Sequence, residues 1–137
     1  MELAFVFFWV ADVPAETAFF AEALGVEARV LEEVPQHGWR AELSTGSTTL
    51  YLADERELGL PGEIPADAYR NALSQPPCAT QLTFVDVDPE GVFVRAVSAG
   101  AAVLAEPYHA PWGQTLARFR TPGGVVVSLA SPIQGPH

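Results

Sequence analysis

Residues 5–25, FVFFWVADVPAETAFFAEALG, decide the fold, because their pattern changes from a strand to a helix and returns later in the chain. Residues 5–13 are rich in aromatic and β-branched side chains and predict a β-strand. Residues 14–24 carry apolar side chains at helical spacing and begin with a proline, which suits the first helical turn. Gly25 follows where a helix needs a left-handed residue to end it.

The same order returns at residues 81–100, QLTFVDVDPEGVFVRAVSAG. Residues 81–87 predict a strand, Asp88 is suited to cap the next helix, and Gly100 is suited to end it. Asp88 lies 76 positions after Asp12, and Gly100 lies 75 positions after Gly25. These matching offsets indicate an internal repeat.

Each half continues with three further strands. Residues 27–34 and 102–108 predict one strand each, and two hairpins follow, at 39–53 and 114–130. We therefore expect an α+β fold, one domain of two βαβββ modules that form an eight-stranded cup. The predicted boundaries are module one at 1–53, a linker at 54–77 with a helical turn near 66–73, and module two at 78–132.

Composition narrows the classes of function. The 137 residues suit a single domain with a sizeable core, and 49% of them are apolar. The 17 acidic residues outnumber the 7 basic ones, for a net charge of −10. Such a charge repels nucleic acid and anionic membranes and attracts cations, although it also simply keeps a small protein soluble.

The single cysteine, Cys78, excludes an internal disulfide and a multi-cysteine zinc site. No basic residue precedes the apolar run at residues 3–11, and Asp12 ends that run early for a signal peptide or a membrane span. We therefore expect a cytoplasmic protein.

Five short motifs follow one another along the chain: VADV (10–13), FF (19–20), LGV (24–26), PWGQ (111–114) and FRTPGG (119–124). Their order, together with the repeat, resembles the glyoxalase/bleomycin resistance/dioxygenase superfamily, and the resemblance covers nearly the whole chain. Thr121 stands where the family's last hairpin usually has an aspartate.

The resemblance also implies where a metal would bind. Metal-dependent members take His, Glu or Gln ligands from the first and last strands of each module. These positions correspond to Phe5, Tyr51, Gln81 and Ser128 in this chain. Phe5 cannot bind a metal and Ser128 is a poor neutral ligand, so only Gln81 is compatible. We predict no metal and no cofactor of the family type.

Aromatic side chains take the place of the ligands. Strand alternation puts Phe5, Phe7 and Trp9 on one face of the first strand, which would look into the cup. Such residues are also ordinary core residues in most proteins. The predicted ligand-binding set is Phe5, Phe7, Trp9, Trp39, Tyr51, Gln81, His109, Trp112 and Ser128. Trp112 equally suits an interface or simple packing, and His109 suits a plain surface position.

These features favour a small-molecule binding protein similar to the antibiotic-resistance branch of the superfamily. Such a protein would sequester a cationic or aromatic antibiotic without catalysis. A metal-dependent lyase, isomerase or dioxygenase of the same superfamily is the alternative, and no catalytic residue is evident. We also expect a homodimer, because family members pair modules either within one chain or between two.

Overall fold

The computed structural model describes residues 1–56 and 71–133 and contains two modules with the same order of elements. Both modules follow the order β-α-β-β-β, which confirms the predicted α+β fold of two βαβββ modules. In the first module the elements are β1 (Phe5–Val10), α1 (Val13–Leu24), β2 (Ala28–Val34), β3 (Gly38–Ser44) and β4 (Thr49–Asp54). In the second they are β5 (Gln81–Val85), α2 (Pro89–Ser98), β6 (Ala102–His109), β7 (Thr115–Arg120) and β8 (Val126–Ala130).

The eight strands form two sheets of four with the same topology. Sheet A has the order β1-β4-β3-β2, and sheet B has the order β5-β8-β7-β6. The first and last strands of each module run parallel, and the other neighbours run antiparallel. The first strand of each module is therefore an edge strand of its sheet.

Both first strands end earlier than the sequence predicts. β1 ends at Val10 rather than at residue 13, because Asp12 caps α1 and its Oδ1 accepts a hydrogen bond from the Ala15 N–H at 3.0 Å. β5 likewise ends at Val85, and Asp88 caps α2 as predicted. Gly25 ends α1 with φ of +67°, the predicted left-handed conformation.

Two sequence predictions fall partly outside the described residues. The structure does not describe residues 57–70, which overlap the helical turn expected near 66–73 and form the middle of the 54–77 linker. β4 runs one residue past the expected end of module one. The module boundaries stay a prediction. Neither α1 nor α2, the helices of the described ranges, has the length or apolar character needed to cross a membrane.

The modules share one hydrophobic core. α1 packs beside α2, and the inner faces of both sheets contribute to the same buried cluster. The ring of Phe19 on α1 meets the ring of Phe119 on β7 edge-on, with centroids 5.9 Å apart. This contact joins one module's helix to the other module's sheet, so the two modules are packed as one unit.

A buried carboxylate also joins the modules. Glu16 on α1 is only 1% exposed and accepts hydrogen bonds from the Thr121 hydroxyl and from the Gly123 N–H, the latter at 2.8 Å. Burial raises the pKa of Glu16 above its ordinary value, and the nearby Asp12 adds to this effect. The two hydrogen bonds act in the opposite direction because they favour the ionised form.

Arg120 holds the end of the linker against sheet B. Strand alternation puts Arg120 on the face opposite Phe119 and by itself favours a solvated outer position, but the side chain is only 6% exposed. Its guanidinium donates to the carbonyl oxygens of Asn71, Ala72, Gln75 and Gly124 at 2.9–3.2 Å. The expectation was wrong because strand alternation identifies a face but not the chain segment that covers it.

Candidate functional site

Four aromatic rings lie together on the outer face of sheet A. We call Phe5, Phe7, Trp9 and Tyr51 the aromatic face. Phe7 stacks on Tyr51 with centroids 4.1 Å apart and an interplanar angle of 19°. Phe5 lies 5.6 Å from Tyr51, and Trp9 lies 5.2 Å from Phe7. Of the predicted ligand-binding residues, the structure brings these four into one continuous cluster.

Strand geometry explains the cluster. Alternate residues of β1 point to opposite faces, so Phe8 and Val10 enter the core while the aromatic face points outward. The parallel pairing of β1 with β4 sets Phe7 directly beside Tyr51. Phe5 is 44% exposed, and the other three rings are partly exposed. A contiguous, exposed apolar patch of this kind often marks a surface that binds a ligand or another protein.

Arg40 on β3 lies beside the cluster. Its Nη1 donates to the Tyr51 hydroxyl at 3.0 Å, and its Nε forms an ion pair with Glu32 at 2.7 Å. The guanidinium also lies 5.7 Å from the Tyr51 ring centroid, within the range of a cation–π contact. Two hydrogen bonds raise the pKa of Arg40, and the one to Tyr51 has a larger effect than the one to Glu32.

Opposite charges balance around the aromatic face. The pairing of β3 with β4 places Glu42 beside Tyr51, and Arg29 donates to the Thr49 hydroxyl at 3.1 Å. With Arg40 and Glu32, these neighbours within the described strands are two cations and two anions. The net charge of −10 is therefore a property of the whole chain and not of this patch.

Polar side chains occupy the positions of sheet B that are equivalent to the aromatic face. Gln81 donates from Nε2 to the Thr83 hydroxyl at 3.3 Å, and Thr83 pairs with Ser128 across the β5–β8 ladder. Ser128 is only 3% exposed, whereas Gln81 and Thr83 are exposed.

The register of the two ladders identifies equivalent positions in the modules. Phe5 lies two residues before the partner of Tyr51, and Gln81 lies two residues before the partner of Ser128. The four positions predicted for metal ligands are thus matched pairs. They supply a phenyl ring, a phenol, an amide and a buried hydroxyl. This donor set does not fit a divalent metal, which needs three or four carboxylate, imidazole, thiolate or carbonyl donors.

Trp39 faces away from the aromatic face. Arg40 is on the outer side of β3, so Trp39 points to the inner side, where it packs against the core. Trp39 also borders a cavity of about 280 Å³ beside residues 11–14.

Trp112 and His109 make their contacts within the β6–β7 hairpin. Trp112 is 64% exposed, and its Nε1 donates to Gln114 Oε1 at 2.7 Å. His109 Nδ1 lies 3.0 Å from the Thr115 hydroxyl. These contacts orient both side chains at one end of sheet B.

The family is decided by a sequence model that describes the Glyoxalase/Bleomycin resistance protein/Dioxygenase superfamily and matches residues 2–129. The chain belongs to this superfamily. A comparison with curated protein sequences finds no significant match.

Solved structures share the superfamily fold. A glyoxalase-related enzyme from Fulvimarina pelagi has a TM-score of 0.72 and 15% identity, with 96% of this chain and 88% of that chain covered. TioX from Micromonospora sp. ML1 has a TM-score of 0.67 and 16% identity, with 96% and 98% covered. A glyoxalase I mutant from Zea mays has a TM-score of 0.69 and 23% identity, with 94% and 46% covered. At these identities the likeness establishes the fold alone.

Sequence reasoning missed two parts of the site in this superfamily member. The period-two spacing of Arg40 and Glu42 in the β3–β4 hairpin could have placed both beside Tyr51. No sequence pattern, however, could have placed Asn71, Cys78 and Thr80, which precede β5, against the edge of β1, where they border a cavity. That approach depends on how the chain returns between the two modules.

Proposed function

We propose that this superfamily member binds a planar aromatic small molecule on the aromatic face and holds it without metal-assisted chemistry. The observation that carries the proposal is the continuous, partly exposed cluster of four rings on a rigid sheet. Flat ligands stack on such rings, and the strands fix the rings in advance, so little ordering is needed on binding. An antibiotic with a flat aromatic system fits this description.

The balanced local charge supports stacking as the main attraction. Arg40 is already engaged by Glu32 and Tyr51, so the patch offers neither a strong cation site nor a strong anion site. The charge of the whole chain would still raise the rate at which a cationic drug arrives. Salt therefore separates the two contributions, since it screens long-range attraction and leaves stacking nearly unchanged.

A homodimer is part of the proposal. The edge strand β6 leaves apolar side chains exposed, with Val103 and Leu104 each 47% exposed. Edges and patches of this kind are covered by a partner in many proteins. Sedimentation equilibrium at several concentrations tests the assembly, and a chain that stays monomeric throughout contradicts it.

Quenching of tryptophan fluorescence by bleomycin and by the planar cation acriflavine tests the binding function. We expect saturable binding that Tyr51→Leu weakens by about 2- to 10-fold, the value of one aromatic contact. Tyr108→Leu is the matched control, because Tyr108 also accepts a hydrogen bond from an arginine, Arg118, but on sheet B. If neither compound binds below about 1 mM, the proposal is wrong.

Elemental analysis of the purified protein tests the metal-free part separately. The residues at the four family positions predict that nickel, zinc, iron and manganese stay far below one ion per chain after dialysis. A stoichiometric metal that is lost on Gln81→Ala would instead support the alternative function, a metal-dependent enzyme of the superfamily.

A further inference from the structure

A cavity of about 360 Å³ lies along the free edge of β1. We call it the β1-edge pocket. Its walls include Phe7 and Trp9 on one side and Asn71, Cys78 and Thr80 on the other. Its lining is mainly apolar, and none of the described lining residues is an Asp, Glu, Lys, Arg or His. The size suits a small ligand, and the lining suits an uncharged one, since a buried charge without a partner is costly.

The wall opposite β1 is held in place. The Asn71 Nδ2 donates to the Trp9 carbonyl at 2.8 Å, which ties the linker directly to β1. The buried Arg120 binds the carbonyls of Asn71, Ala72 and Gln75 at 2.9–3.2 Å. A pocket with walls fixed in this way needs little reordering when a ligand enters.

The backbone of β1 adds a polar group to the pocket. Among the strands of residues 1–56 and 71–133, β1 pairs with β4 alone, so none of these strands covers its other edge. Along a strand, the N–H and C=O groups of successive residues point to alternate edges. The Trp9 carbonyl points to the free edge, because it meets Asn71 there. The N–H and C=O of Phe7, two residues earlier, therefore point to the same edge.

We propose that the β1-edge pocket binds an uncharged aromatic amide. The ring of the ligand lies against Phe7 and Trp9, and its carbonyl accepts a hydrogen bond from the Phe7 N–H, as an added strand would. This inference goes beyond the proposed function, because it names a second site and its ligand class beside the aromatic face, with which the pocket shares Phe7 and Trp9.

The single thiol of the chain gives a direct readout. Cys78 is the only cysteine, it lines the pocket, and it is partly exposed. A ligand in the pocket shields it from a thiol reagent such as dithionitrobenzoate. Binding elsewhere on sheet A leaves its reactivity unchanged.

The experiment uses 2-naphthamide as the probe and 2-naphthoate, its charged isostere, as the comparison. We expect 2-naphthamide to slow the Cys78 reaction saturably and to shift the Phe7 amide resonance in a proton–nitrogen correlation spectrum. We expect 2-naphthoate to bind at least about 10-fold more weakly, because its charge must be desolvated.

Thr80→Phe fills the pocket from an exposed position, and Ala79→Phe is its matched control at the neighbouring exposed position outside the lining. Thr80→Phe should abolish both signals, and Ala79→Phe should retain them. The inference is overturned if 2-naphthamide binds without protecting Cys78 and Tyr51→Leu weakens that binding instead. It is also overturned if 2-naphthamide fails to bind while bleomycin or acriflavine binds. In both cases the proposed function stands, whereas failure of all the probes removes both.

Discussion

Replacing Glu16 by glutamine or by alanine tests the contact that joins the two modules. The side chain is 1% exposed and accepts two hydrogen bonds from the β7–β8 turn, from Thr121 and from Gly123. Thr121 Oγ1 itself accepts the Val125 N–H at 3.0 Å, so the carboxylate completes a small buried network. Removing it affects both modules at once.

Glu16→Ala leaves the Thr121 hydroxyl and the Gly123 N–H without their buried acceptor. Each unsatisfied buried group costs about 1–3 kcal/mol, so we expect the free energy of unfolding to fall by about 2–5 kcal/mol at pH 7. Glu16→Gln keeps the size of the side chain. Its Oε1 can accept from Gly123, and its Nε2 can donate to Thr121. We expect its free energy of unfolding at pH 7 to stay within about 1.5 kcal/mol of the wild-type value, since one hydrogen bond is only reversed.

The pH dependence has a definite sign. Burial raises the pKa of Glu16 in the folded protein above its ordinary value of 4.5. Between these two values the folded protein holds a proton that the unfolded chain has released, so stability falls as the pH rises. The contribution of this group is therefore fully present below pH 4.5 and is lost as the pH rises through the folded pKa. Glu16→Gln lacks the titration, so it should gain stability relative to the wild type over this range.

Urea unfolding followed by circular dichroism from pH 4 to pH 8 measures both effects. Glu22→Gln is the matched control, because Glu22 is an exposed glutamate on the same helix and its removal changes the net charge equally. The reasoning is refuted if the Glu16→Gln and wild-type curves run parallel across this range. It is also refuted if Glu16→Ala costs no more than Glu22→Gln.

Three further changes test other parts of the framework. Gly123→Ala places a Cβ 2.8 Å from the Glu16 carboxyl carbon, so urea unfolding should show that the free energy of unfolding falls by about 1–3 kcal/mol. Adding Glu16→Ala to the same chain removes the clash and should reduce the cost of Gly123→Ala. Arg120→Met removes four hydrogen bonds to backbone carbonyls, so we expect the free energy of unfolding to fall by about 3–5 kcal/mol. Proteolysis within residues 71–77 should also become faster, and an unchanged cleavage rate would contradict the role of Arg120 in holding this segment. Asp12→Ala and Asp88→Ala each remove a helix N-cap, so each should lower the free energy of unfolding by about 1 kcal/mol. A large difference between the two values would show that the two caps do not contribute equally.

The repeat was predictable because its signals are local. Asp88 before a proline, Gly25 after a leucine and the alternation of β1 depend on neighbours a few residues away. Such preferences are properties of the chain itself, and the same local pattern occurs twice. They therefore predicted the order of elements and the placement of Phe5, Phe7 and Trp9 on one face of β1.

The remaining features depend on residues that are distant in sequence. The sequence alone favours a solvent-exposed helical position for Glu16, but the turn that contains Thr121 buries it. It likewise favours a solvated strand position for Arg120, but the end of the linker covers it. A helix or strand pattern states which side a residue faces, but burial there depends on which segment packs against that side.

The sequence alone therefore determined the two βαβββ modules, the helix caps at Asp88 and Gly25 and the chemistry of the four family positions. Only the tertiary structure decided that Tyr51 stacks on Phe7, that the linker is held by Arg120 and that a pocket lies beside β1. The physical reason is that local preferences act through bonds and near neighbours. Register, burial and cavities arise when segments separated by dozens of residues close on one another.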